Sequence, residues 1–232
     1  MHQTGERLNK YLALQLGISR READEMIRKG LVTVNGVKAS LGSRILPTDT
    51  VCADGAQVSH GTKYEYILLN KPVGYVCSRR PQGESPTVYS LLPAELHSLK
   101  LVGRLDKDSS GIILLTNNGE FSHKMTHPSF SKTKIYEVGL TKPLQPLHRQ
   151  MISDYGVMLE DGKSQFTVER IDADDELNWR VVMKEGRNRQ IRRTFAALGY
   201  KVKLLHRTNF GNYALGDITS GQYIKLNISP NA

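Results

Sequence analysis

Cysteine is scarce: only Cys52 and Cys77 occur in 232 residues. Two cysteines cannot build a disulfide framework, so the reducing cytoplasm is the expected setting. There is no CxxC pair and no HExxH, so no metal site is signalled. Neither a GxxxxGK phosphate loop nor GxGxxG is present, so no nucleotide cofactor is expected. No apolar run approaches the length of a membrane span, and Met1 to Lys10 lacks the apolar stretch of a signal peptide. No membrane partner is expected. Acidic residues are in deficit, 23 against 32 lysines and arginines, which leaves a formal charge of +9. A surface so basic favours polyanions, and nucleic acid is the commonest of these in a cell.

The apolar residues, 39% of the chain, suffice for a core. From Glu6 to Leu16, Leu8, Leu12 and Leu16 recur every four residues beside Tyr11, one stripe of an amphipathic helix. Ser19 precedes Glu22 by three residues, a capping box that opens a second helix running to about Lys29. Leu31 to Val34 reads as a strand, Asn35-Gly36 as a two-residue hairpin turn, and Val37 to Ala39 as the return strand. The outer face of this unit carries Arg7, Lys10, Arg20, Arg21, Arg28 and Lys29. Gly55 to Lys63 is small and polar, as a linker would be.

A second domain is expected from Tyr64. Strand-like runs occur at Tyr64–Leu69, Leu99–Val102, Ile112–Leu115, Lys132–Leu140, Gln165–Ile171, Trp179–Met183, Lys201–His206 and Tyr223–Ile228. Helices are expected over Glu120–Met125, Pro143–Tyr155 and, with Asn188 as N-cap, through Leu198. The irregular alternation favours an α+β fold over a parallel sheet with regularly spaced helices.

Between two of these runs stands Gly103-Arg-Leu-Asp-Lys-Asp-Ser-Ser-Gly111. It fixes a carboxylate, Asp106 or Asp108, between glycines that allow unusual torsions. Local chemistry alone fits a polar hairpin equally well.

Larger patterns resolve that choice. Arg-Leu-x-Lys-Tyr-Leu, then Gly-x-Ser-Arg, then Val-x-Val-Asn-Gly, within Glu6 to Val51, resembles the αL (S4-type) RNA-binding module first described in a ribosomal protein. The remainder resembles the bacterial ribosomal-RNA branch of the pseudouridine synthases. Four pieces carry this: Asn70-Lys71-Pro72-x-Gly74, Gly103 to Gly111, Lys134-Ile135-Tyr136 and Glu185 to Arg193. The resemblance implies an RNA-binding domain over residues 1–60 and a catalytic domain with a mixed, mainly antiparallel sheet over 64–232. It implies catalysis by Asp106 on a uridine flipped out of its stack, with Tyr136 stacking on the uracil and Arg192 supporting the carboxylate. Arg104 would fill the vacated space or hold phosphate. Leu205 would pack on the base, though an ordinary core role fits it as well. Asp108 is left as a turn residue.

The implied reaction is an isomerisation that needs no cofactor. The implied partner is ribosomal RNA or a ribosomal precursor particle, and a monomer is expected. Asn188 to Arg193 looks more like the large-subunit enzymes, whereas the chain length and two-domain layout also suit the small-subunit enzyme; the balance leans towards large-subunit RNA. The rivals are a non-catalytic RNA-binding assembly factor and a carboxylate-dependent hydrolase of small molecules.

Overall fold

A computed structural model describes residues 5–59 and 63–228. The N-terminal unit begins with helix α1 (Leu8–Gln15), shorter than its apolar periodicity predicts. Glu6 and Arg7 pair antiparallel with Ile45 and Arg44 instead, which removes their backbone from the helix. Leu8, Tyr11 and Leu12 are buried, but Leu16, at the helix C-cap, is 40% exposed and does not complete the stripe. Helix α2 (Arg20–Arg28) starts as its capping box dictates. The Glu22 amide donates to Ser19 Oγ at 3.1 Å and the Ser19 amide to Glu22 Oε2 at 2.6 Å. The hairpin turns at Asn35 and Gly36, both at positive φ, which pairs Val34 with Val37. Val51–Ala53 and Ala56–Val58 extend this sheet, and Val58 is buried in the core. The stretch expected to be a linker from Gly55 is therefore largely part of the module. Of that stretch, residues 60–62 lie outside the described residues.

The second unit is built on one sheet. Its strands are β1 (Tyr66–Lys71), β2 (Lys100–Val102), β3 (Ser110–Thr116), β4 (Lys134–Leu140), β5 (Thr167–Arg170), β6 (Asn178–Met183), β7 (Val202–Phe210), β8 (Tyr213–Ala214) and β9 (Tyr223–Lys225). Across the sheet the order is β5-β6-β4-β7-β3-β1-β9, with β8 on β7 and β2 on β3. Every pairing is antiparallel except β3 with β7, so the sheet is mixed and mainly antiparallel. The period of two divides β1 and β3 between two cores. Tyr66, Leu68, Ile112 and Leu114 fill one face, and Ile67, Leu69, Ile113 and Leu115 the other. A third core holds Val138, Trp179, Val181 and Phe195.

The one parallel pairing within this sheet joins Ser110 and Gly111 to His206 and Arg207. A Cβ on Gly111 would lie 2.2 Å from the Arg207 carbonyl oxygen, so no other residue permits this approach. It ties the end of the 103–109 loop to the middle of β7. Helix α3 (Gly119–Thr126) follows β3, and Asn118 caps it by accepting from the Glu120 and Phe121 amides.

Two helix starts differ from expectation. The helix sought from Pro143 begins at Pro146 (α4, Pro146–Gln150) and continues as a wider turn, Met151–Tyr155. Leu144 is buried instead, and its amide bonds the Glu176 carbonyl at 3.3 Å. Helix α5 (Gln190–Ala197) has Arg189, not Asn188, at its N-cap. Gln190 Oε1 closes the turn by accepting from the Arg187 amide at 3.1 Å. The last strand is also shorter than the run Tyr223–Ile228.

The two units touch where Lys10 Nζ meets Glu120 Oε1 at 2.5 Å and Lys100 Nζ donates to the Ile18 carbonyl at 3.3 Å.

Candidate active site

The 103–109 loop leaves β2 and returns into β3 at the wall of a cavity of about 960 Å³. Its shape is held from below. Lys71 is fully buried, and its Nζ donates to the carbonyls of Ser109 at 2.6 Å and Pro72 at 3.0 Å. Burial pushes that ammonium below the usual lysine range, and Cys77, Asp106 and Asp108 oppose the shift. The Gly74 amide bonds the Lys107 carbonyl at 2.8 Å, and the Ser109 amide closes a turn on the Asp106 carbonyl at 3.1 Å. Asp106 is thereby presented to the cavity with about a third of its side chain exposed.

Tyr136 from β4, Leu205 and Arg207 from β7, Met183 from β6 and Ile191 from α5 line the same cavity. Tyr136 and Leu205 are both nearly buried. Arg104 stands exposed at the rim. The cavity thus brings together Arg104, Asp106, Tyr136 and Leu205.

Arg192 takes a different place from the one implied by resemblance. Its Nη1 donates to the Val202 carbonyl at 2.8 Å and its Nη2 to the Asp108 carbonyl at 2.7 Å. The cation beside the Asp106 carboxylate is Arg189, with Nη1 3.5 Å from Oδ2. Arg189 also grips Asp108 with both prongs of its fork, at 2.9 and 3.0 Å, and Arg192 Nε lies 3.4 Å from Asp108 Oδ2. Both arginines face the loop. The one nearer the helix start reaches Asp106. Asp108 is therefore more than a turn residue. The hydrogen bonds from Arg189 hold its carboxyl below the usual carboxylate range, and the Asp108 contact raises Arg189 in turn. Arg189 sits at φ +46°, a left-handed conformation that costs a non-glycine residue roughly 1–3 kcal/mol. Neighbouring bonds hold it there. Arg187 and Arg193 both clamp Asp161, and Arg193 Nε bonds the Asn188 carbonyl at 2.9 Å.

The other basic residues divide. Arg7, Arg20, Arg21 and Lys29 are exposed on the N-terminal unit. Arg28 is ion-paired with Glu25, and Lys10 with Glu6 and Glu120. Lys10, expected on the outer face, is a junction residue.

Comparison with known proteins matches residues 65–197 to the RNA pseudouridylate synthase family and residues 6–51 to the S4 domain. The chain belongs to the RNA pseudouridylate synthase family. It is 36% identical to the ribosomal small subunit pseudouridine synthase A of Pasteurella multocida, covering 95% of both chains. It is 39% identical to the ribosomal large subunit pseudouridine synthase B of Xanthomonas campestris, spanning 47% of that longer chain. A solved pseudouridylate synthase superposes over 96% of both chains with a TM-score of 0.68 at 32% identity.

In this pseudouridine synthase several cavity residues escaped the sequence reading. Arg189 lay inside a quoted motif, but spacing could not say which of its arginines faces Asp106. Lys134 also stood in a quoted motif. Its ammonium lines the cavity, donates to the carbonyls of Lys132 and Lys184 at 3.2 and 3.1 Å, and is pushed down by burial. Arg207 gave no signal within its strand. It is 3% exposed, donates twice to the Ile112 carbonyl and lies over the Phe210 ring. Among the described residues, no group of three or more His, Cys, Asp and Glu is placed to hold a metal ion. No described helix is long and apolar enough to cross a membrane.

Proposed function

We propose that this synthase isomerises a uridine of ribosomal RNA to pseudouridine, with Asp106 as the catalytic residue. The observation that carries the reading is one juxtaposition. The Asp106 carboxylate opens, beside the Arg189 guanidinium, into a cavity of about 960 Å³ that Tyr136 also lines. The reaction breaks the N1–C1′ bond, joins C5 to C1′ and moves the C5 proton to N1, so atoms and electrons balance without a further reactant. A carboxylate serves it by attack at C1′ or by taking the proton at C2′. Both routes use the carboxylate, and the Arg189 guanidinium lies 3.5 Å from it. Asp108 holds Arg189 in place. Tyr136 and Leu205 receive the flipped base, and Arg104 and Arg192 contact the substrate or brace the loop around it.

Relatives named for both ribosomal subunits support rRNA as the substrate class. The full-length correspondence with the small-subunit enzymes favours small-subunit RNA. The αL module, residues 1–60, docks the RNA through Arg7, Arg20, Arg21 and Lys29, and the domain over 64–232 performs the chemistry. The protein acts as a cytoplasmic monomer on rRNA or a precursor particle.

The test maps pseudouridine in both rRNAs from cells lacking the gene, then repeats the map after adding the purified chain. One uridine should regain modification with the wild type and none with Asp106→Asn. If wild type restores none, a non-catalytic assembly factor replaces this reading.

A further inference from the structure

The part of the cavity lining that follows helix α3, beside the start of the 103–109 loop, carries a feature that the reaction does not use. Helix α3 runs out at His127, and Pro128–Phe130 forms a single tight turn beyond it. Phe130 is 45% exposed, and His123 and His127 are exposed beside it. The three rings form one cluster. Centroids lie 4.6 Å apart for His123–His127, 5.7 Å for His123–Phe130 and 6.3 Å for His127–Phe130, at interplanar angles of 50°, 85° and 76°. None lies flat on another, so flat ring surface remains uncovered. Exposed aromatic faces of this kind can take a flat partner.

The turn is also pre-shaped. The Phe130 amide bonds the His127 carbonyl at 3.1 Å, and the Ser131 amide bonds that of Pro128 at 3.0 Å. His127 Nδ1 meets Ser129 Oγ at 2.8 Å. A ring held in this way loses little freedom when it binds a ligand. The cluster is continuous with the active-site cavity, which Thr126, His127, Pro128, Ser131 and Lys132 help to line. Thr126 Cγ2 would lie only 3.6 Å from a Cβ on Gly103, at the start of the catalytic loop. Arg104, Lys107 and Lys132 on the same cavity supply cations for a backbone passing between the two.

We infer that Phe130, with His123 and His127, forms a second base-binding site at the cavity mouth, which stacks an unpaired base flanking the flipped uridine. Aromatic rings beside a cationic track are how proteins hold single-stranded nucleic acid without reading its sequence. Flipping one nucleotide also disturbs the stacking of its neighbours, and a platform at the exit would hold one of them. The inference rests on RNA as the substrate, and its first test needs no turnover.

Trp179, the sole tryptophan, is 1% exposed, so a new one at position 130 reports alone. In the full chain carrying Asp106→Asn and Phe130→Trp, an unmodified rRNA fragment containing the mapped uridine should quench the added fluorescence. Without Phe130→Trp, the same RNA should leave the emission nearly unchanged. In the active enzyme, Phe130→Ala should raise KM about tenfold, within the range for one stacked base, and leave kcat within twofold. Phe130→Tyr should restore KM. Replacing the stacked base by an abasic nucleotide should make wild type and Phe130→Ala equal.

Absence of quenching while the RNA binds would overturn the site. So would an unchanged KM in Phe130→Ala, or an equal rise in Phe130→Tyr. Quenching by RNA in a chain whose wild type forms no pseudouridine would support the site while overturning the proposed activity.

Discussion

The αL module and the catalytic cavity are both basic, yet they hold their cations in opposite ways. On the module, Arg7, Arg20, Arg21 and Lys29 stand exposed, with no ion pair among the described residues. At the cavity, Arg189, Lys134 and Arg207 in its lining, and Arg192 outside that lining, are each tied to named oxygens or rings. An exposed, untied cation attracts a phosphate from many directions and adds affinity in small, similar increments. A tied cation has one direction, so it can tune a single neighbouring carboxylate. The difference separates docking from chemistry, and it is testable at each residue.

The largest effect is expected at Asp106. Asp106→Asn keeps the shape but removes the charge, and turnover should fall at least about a thousandfold with RNA affinity held. Single-turnover pseudouridine formation and filter binding measure the two. Activity within tenfold of wild type would place the chemistry elsewhere.

The next tests ask which tied arginine matters. Arg189→Met removes the cation nearest Asp106 and should slow single-turnover pseudouridine formation. Arg192→Met should slow it less, because that guanidinium serves two carbonyls. Asp108→Asn should slow it as well, because it releases the Arg189 fork. A loss in Arg192→Met larger than in Arg189→Met would reverse their order. Because the Asp108 carboxyl lies below its ordinary range, its pairing with Arg189 strengthens the fold above that range and is lost as pH falls through the lowered value.

Tyr136 should show a smaller effect, carried by its ring. Tyr136→Leu should cost about 1–3 kcal/mol in kcat/KM, and Tyr136→Phe little. A large loss in Tyr136→Phe would give the hydroxyl a part in proton transfer.

The module residues should show the smallest effects. Arg20→Ala or Arg21→Ala should weaken binding modestly and reduce the slope of log affinity against log salt by about one for each phosphate no longer neutralised. Lys10→Ala should leave the slope unchanged. It should lower thermal stability by about 0.2–1 kcal/mol, and Glu120→Gln should lower it less, because Lys10 also pairs with Glu6. A lowered salt slope in Lys10→Ala would return that residue to the RNA face.

What sequence determined and what it left open follow from the range of the interactions. Local patterns settled the Ser19–Glu22 capping box, the Asn35-Gly36 turn, and the apolar strands Tyr66–Lys71 and Ser110–Thr116. In each case the bonds or side-chain alternation lie within a few residues. Tertiary structure decided the rest, because those partners lie far apart in the chain. The place of Ala56–Val58 depended on an open edge beside Val51–Ala53. The role of Lys10 depended on Glu120, 110 residues away. The choice of Arg189 over Arg192 depended on a left-handed residue where α5 meets a loop 81 residues earlier in the chain. A motif specifies which residue types arrive at a site. Only packing decides which of several arginines points at the carboxylate, because that depends on the angle at which one element meets another.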